Sequence, residues 1–305
     1  MELPVVHKTR FADEAKIVVS TKRTFEAAAG YAGQKVAVHN FASATNPGGG
    51  VTRGSSAQEE CLCRCSGLYF CLSVPEMMKG FYYPHRNAKN PINNADIIYT
   101  PDVTVFKTDT GRPKLMNEAE WYDVDVITCA APNLRERPSN RFNQGNGDRA
   151  VKVSDLEIHK KRLTRILDVA VLNGDEVVIL GAFGCGAFQN KPEVVARAAK
   201  EAMADYLHAF KTIEFAVYCP PRDDTNFKMF KRVMGAYNKS ILYWRNCGMK
   251  FKKCGAEMIF QNYWSLFAKK PTSRDSGEAR KKPVMDSGIR IAVKNSGKMK
   301  RQTKL

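Results

Sequence analysis

The chain alternates between short runs of consecutive apolar residues and longer stretches in which apolar positions recur every three to four residues. Runs of this length rich in Val and Ile fit strands buried on both faces. Five such runs lie at Lys16 to Ser20, Lys35 to Asn40, Asp123 to Ala130, Glu176 to Gly181 and Ile213 to Cys219. Helical spacing falls between them, at Lys22 to Ala29, Ala57 to Leu72, Ser154 to Leu172, Pro192 to Phe210 and Asn226 to Met234. Strands alternating with helices predict an α/β fold whose largely parallel sheet is sandwiched between helices. Ligands of such sheets bind beyond the carboxyl ends of the strands, so the loops there are the first candidates for function.

Three stretches break the alternation. Met77 to Asp109 is rich in aromatic residues, Asn and Pro, and a hairpin is expected from Ala95 to Lys107. Pro132 to Ala150 is a polar, Gly- and Asn-rich loop, either a flap over a site or a solvated insertion. After Phe267 the apolar periodicity fades, and a disordered tail is expected.

Charge sharpens this division. The net charge of the 305 residues is +17, and residues 269–305 alone carry 12 Lys or Arg against 3 Asp or Glu, a local +9. We therefore expect a domain over residues 1–268 and a basic tail over 269–305 that contacts polyanions such as nucleic acid. With 44% hydrophobic and 26% charged residues the chain is globular in composition, not disordered throughout. No run of 18 or so apolar residues is present to span a membrane, and no secretory leader is visible. The nine cysteines are odd in number, and Cys61, Cys63 and Cys65 are too close together for a disulfide framework. A reducing, cytoplasmic compartment is expected.

The most informative stretch is VAVHNFASATNPGGGVTRGSSAQEECLCR, residues 36–64. A strand ends at Asn40, and Gly48, Gly49 and Gly50 follow in the loop. Three glycines in a row forfeit backbone order, so they mark close approach or positive φ. Gln58, Glu59 and Glu60 then open a helix. Ser56 and Glu59 fit a capping box, which would make Glu59 structural; Glu60 reads either as a charge favouring the helix dipole or as a functional carboxylate. A second glycine loop, LGAFGCGAFQNKPE, follows the strand at Glu176 to Gly181 and precedes a helix with Pro192 at its start. It reads either as a tight strand-to-helix turn or as a phosphate cradle.

GGG, seven residues and then QEE resembles the signature of poly(ADP-ribose) glycohydrolases of the compact bacterial type, a branch of the macrodomain superfamily. NFASATNPGGG, SGLYFCL, IIYTPDVTVF, ITCAAPN and VVILGAFGCGAFQNKPEVVA are similar to that family too, so the likeness runs over roughly residues 10–240. The resemblance implies a macrodomain-like mixed sheet between helices. It implies hydrolysis of the ribose–ribose O-glycosidic bond of poly(ADP-ribose), releasing ADP-ribose, in a monomer without metal or redox cofactor. Such a bond leaves through an oxocarbenium-like transition state, needing a proton on the leaving oxygen and a base for water, and one carboxyl can serve both in turn. The resemblance gives that role to Glu60, with Glu59 orienting substrate. Asn46 would hydrogen-bond the ribose next to the scissile bond, Gly48, Gly49 and Gly50 would let the backbone close on the ligand's diphosphate side, and Asn40 and Gln58 would bind substrate. Backbone N–H groups of Gly184, Cys185, Gly186 and Ala187 would hold the diphosphate, with Phe188 against a ribose. Removal of single ADP-ribose groups from protein or nucleic acid, and plain ADP-ribose binding without catalysis, are the alternative functions; the paired glutamates speak against the second.

Other candidates carry less. Tyr82, Tyr83 and His85 are expected at the substrate cleft from the family's aromatic segment, and Phe183 in the core. Cys185 as a nucleophile lacks a nearby His. His7, His85, His159 and His208 share no metal-ligand spacing, and Cys247 with Cys254 makes half a zinc site at most.

Overall fold

The computed structural model describes residues 4–137, 141–142, 155–246 and 289–291. Their strands are β1 (Lys16–Ser20), β2 (Val36–Phe41), β3 (Ile97–Val105), β4 (Tyr122–Cys129), β5 (Val177–Leu180), β6 (Thr212–Ala216) and β7 (Ile289–Ile291). The α-helices are α1 (Thr24–Ala28), α2 (Gln58–Cys65), α3 (Leu68–Leu72), α4 (Pro75–Met77), α5 (Tyr83–Ala88), α6 (Asp155–Leu172), α7 (Pro192–Met203) and α8 (Thr225–Asn246). One sheet runs in the order β1-β6-β5-β2-β4-β3-β7. The first five strands are mutually parallel; β3 is antiparallel to β4, and β7 is parallel to β3. No helix among the described residues is long and apolar enough to cross a membrane.

The alternation of side chains sorts each strand onto two faces. Val36, Val38, Val124, Val126, Val177 and Ile179 meet Phe25, Leu62, Leu68 and Phe81 in one continuous core. α6 packs against β4 and α7. The chain forms two compact units, Met1–Ala236 with Ser287–Leu305, and Tyr237–Asp286. The end of α8 is the described part of the second unit.

The five expected strands are all present: β1 has the expected bounds, β2, β4 and β5 differ by one residue at their ends, and β6 begins one residue earlier and stops at Ala216. The single helix expected over Ala57 to Leu72 is two, because Ser66 is extended and bridges Val105 while Gly67 N–H donates to Thr104 O. Bonding to the end of β3 replaces a turn of helix. The hairpin expected from Ala95 to Lys107 is instead one bulged strand, β3. Its register slips between Thr100 and Val103, and Asp102, at φ +49°, donates its N–H to Asp125 Oδ1 at 2.8 Å. The Pro-Asp pair makes a bulge rather than a turn. The tail, expected to lack structure, contributes β7 at the sheet edge, where the alternating Ile289-Arg290-Ile291 suits a short strand. The rest of residues 269–305, residues 138–140 and 143–150 of the polar loop, and Cys247 and Cys254 lie outside the described residues.

Candidate active site

Because five strands run parallel, the loops after β1, β2, β4, β5 and β6 gather at one edge of the sheet. There they enclose a cavity of about 640 Å³, walled by Arg23 and Thr24, Ser43 and Gly49, Ala131, the 184–188 loop, and residues 216–226. Glu59 and Glu60, in the first turn of α2, line it as well.

Helix α2 begins one residue later than a Ser56 cap requires. Ala57 is the N-cap, with no side-chain cap bond, so the capping box does not form. Glu59 turns inward instead. It is 3% exposed, its Oε2 accepts the Ser43 N–H at 2.7 Å, and Asn40 Nδ2 lies 3.5 Å from its Oε1. Burial pushes its carboxyl up to about 8; the Glu60 charge adds to this, and the Ser43 N–H opposes it. Glu60 is also buried. Its Oε1 accepts the Gly50 N–H at 2.8 Å, while Oε2 has no partner among the described residues.

The carboxylates explain the middle one of the three glycines. Gly49 sits at φ +60°, and a Cβ there would lie 2.4 Å from Glu60 Oε1 and 3.1 Å from Glu59 Oε2. A side chain at Gly48 would strike Tyr69. Gln58 is spent within the protein: Oε1 accepts the Phe41 N–H at 2.9 Å, and Nε2 donates to His39 O at 2.8 Å and Thr24 Oγ1 at 3.1 Å. It ties the start of α2 to the end of β2. Asn40 donates to Thr128 Oγ1 at 3.1 Å on the neighbouring strand, and Asn46 Oδ1 accepts from Arg86 Nη2 at 3.3 Å. Gly49, Gln58 and both glutamates are in the cavity wall; Asn40, Asn46, Gly48 and Gly50 are not among its lining residues.

Across the cavity lie Gly184, Cys185, Gly186, Ala187 and Phe188. Gly184 has φ +74°, and a Cβ there would come within 2.5 Å of Ala131 and Asn190. The Cys185 N–H donates to Ala182 O at 3.0 Å, so it is not open to a phosphate. The N–H groups of Gly184, Gly186, Ala187 and Phe188 donate to no backbone carbonyl among the described residues. Burial pushes the Cys185 thiol up to about 12, which removes it as a nucleophile near neutral pH.

Tyr82, Tyr83 and His85 do not line the cavity. Tyr82 is fully buried, and His85 packs beneath, 2.8 Å from Phe81 O and 2.9 Å from Asn94 Oδ1. Phe183 is core, edge-on to His39 and His159. The wall residues that sequence reading missed are Arg23, Asp109 and Tyr218. Arg23 lies 4.0 Å over the Tyr218 ring, 3.9 Å from Asp109 Oδ1, and donates to Cys61 Sγ at 3.5 Å. They come from three distant stretches, and only the position of Arg23, just past the end of β1, was a usable signal.

The family described as microbial-type PARG (poly(ADP-ribose) glycohydrolase), catalytic domain, matches residues 4–108, which hold both glutamates. A crystal structure of poly(ADP-ribose) glycohydrolase from Deinococcus radiodurans in complex with ADP-ribose is 31% identical. The match covers 75% of this chain and 88% of that one, at a TM-score of 0.64. The chain belongs to the poly(ADP-ribose) glycohydrolase family. The enzyme from Thermomonospora curvata is 33% identical over 75% of this chain and 80% of its own, at a TM-score of 0.65. A second Thermomonospora curvata structure, bound to the inhibitor ADP-HPD, is 34% identical over 72% and 78%, at a TM-score of 0.62. Comparison with curated protein sequences gives no significant match. In this glycohydrolase the matched sequence region carries the carboxylates, and the likeness of structure extends well beyond it.

Proposed function

We propose that this chain hydrolyses the ribose–ribose bond of poly(ADP-ribose), with Glu60 as the group that moves the proton. One observation carries the reading: Glu60 lines the cavity from the first turn of α2, and the Gly50 N–H holds its carboxyl in place through Oε1. The Glu60 carboxyl protonates the leaving ribose oxygen as the C–O bond breaks toward an oxocarbenium-like state, then takes a proton from the attacking water. Glu59, whose carboxyl is pushed up to about 8, is neutral near pH 7 and adds no repulsion to Glu60. Its protonated carboxyl orients substrate hydroxyls. The open N–H groups of Gly184, Gly186, Ala187 and Phe188 bind the diphosphate, as loop N–H clusters do. The architecture is of macrodomain type, with residues 1–268 catalytic and the basic stretch beyond them a tether for polyanions.

Glu60→Gln tests the reading. The amide keeps the shape and cannot cycle a proton, so turnover of poly(ADP-ribose) falls by roughly 10²–10⁴ while ADP-ribose affinity stays within a few-fold. Near-normal hydrolysis would move the acid elsewhere. Running singly ADP-ribosylated protein beside the polymer separates poly- from mono-ADP-ribose hydrolysis.

A further inference from the structure

Asn190 lies beneath the 184–188 loop, 3% exposed and outside the cavity wall. Its Nδ2 donates to Pro132 O at 2.8 Å and Gly184 O at 3.0 Å, and stands 3.5 Å from Phe188 O. Its own N–H donates to Gly184 O at 3.0 Å. Three carbonyls on one side of the carboxamide fix which end is the amide nitrogen, so Oδ1 faces His159 Nε2 at 2.9 Å. His159 is fully buried, and burial pushes its ring down to about 4, so it is neutral. Its one N–H is donated to Oδ1, since Nδ1 has no partner among the described residues.

A loop of peptides can show a ligand either its carbonyls or its N–H groups. Here the carbonyls of Gly184 and Phe188 are drawn down onto Asn190, and Phe188 O also accepts the Leu134 N–H at 2.9 Å. The N–H groups of Gly184, Gly186, Ala187 and Phe188 in the same loop donate to no backbone carbonyl among the described residues, and all four residues line the cavity. We propose that Asn190, oriented by the His159 N–H, is a positioning residue that turns this loop into a diphosphate receptor. It touches no ligand and acts by setting which polar face of the backbone the ligand meets. The inference rests on the reading of that loop as the diphosphate site.

Calorimetric titration with ADP and with adenosine tests it, because the two ligands differ in the diphosphate alone. Asn190→Asp keeps the side-chain shape but sets oxygens against three carbonyl oxygens. It is expected to weaken ADP at least roughly tenfold and to leave adenosine within two-fold, as loss of a buried hydrogen-bonding partner predicts. His159→Phe keeps a ring beside Phe183, removes only the donor to Oδ1 and adds no charge; it is expected to weaken ADP in the same selective way. Melting followed by circular dichroism identifies which variants are folded, and the inference is read from those. If a folded variant keeps the wild-type preference for ADP over adenosine, or loses both ligands equally, Asn190 does not position the loop. If the wild type itself prefers ADP no more than adenosine, the loop is not the diphosphate site, and the failure lies in that reading.

Discussion

At the scale of single residues, the adjacent glutamates differ in their partners: Glu59 takes the Ser43 N–H and lies within reach of Asn40 Nδ2, and Glu60 takes the Gly50 N–H. Ser43 N–H is not enough to offset the burial of Glu59, which stays protonated near neutrality. A carboxyl raised in the folded protein favours the folded state fully below its unfolded value of 4.5, and that advantage drains away as pH climbs through 8. Denaturation midpoints are thus expected to fall between those limits, and Glu59→Gln to flatten part of the decline. Asp175, pushed up to about 9 by burial first and by Asp125 next, contributes in the same direction, so some slope survives the substitution. His39 behaves oppositely. Burial pushes it down to about 3, more than the Cys129 backbone can offset, and it lies edge-on to Phe41 and Phe183. The folded state rejects its proton, so stability is lost as pH falls below 6.5 toward 3. His39→Phe should soften the acid limb of a pH series of denaturant melts; an unchanged limb would place the acid sensitivity elsewhere. The glutamates were legible in the sequence because their partners lie within twenty residues. Asn190 and Tyr218 were not, since nothing local marks a side chain whose partners fold in from far along the chain.

Among elements, the two glycine loops differ in what their glycines avoid. Gly49 and Gly184 yield to atoms of the protein itself, whereas Gly186 has nothing within 4 Å of its missing Cβ. Gly184→Val should therefore lower the melting temperature through overpacking and strain at positive φ, typically 1–3 kcal/mol or about 5 °C or more. Gly186→Val should melt like wild type and lose ADP-ribose affinity, because its side chain enters open space on the wall. Equal stability for both, or unchanged affinity for Gly186→Val, would contradict this division. The strands were readable from Val and Ile alone, since parallel strands are apolar on both faces. The break at Ser66 and the bulge at Asp102 were not, because each is decided by bonding to another strand.

For the molecule as a whole, the basic stretch and the sheet share residues. Deleting 269–305 would remove β7 from the edge of β3 along with the charge, so truncation confounds two effects. Replacing Lys294, Lys298, Lys300 and Lys304 by Gln leaves the strand sequence intact. That variant should bind long poly(ADP-ribose) more weakly at low salt, with a shallower dependence of affinity on salt, while hydrolysing short substrate normally; an unchanged salt slope would rule out the tether. The three-residue strand escaped the sequence reading because charge dominates its surroundings. The strand order has a different consequence. β5 and β6 lie between β1 and β2, so the segments before and after the 138–154 connection interleave across the sheet. A chain cut in that connection yields one piece with both carboxylates and another with the 184–188 loop, neither able to complete a sheet alone. Fused to two proteins that bind one another, such halves would regain hydrolysis only on contact, a complementation reporter whose background is set by the topology.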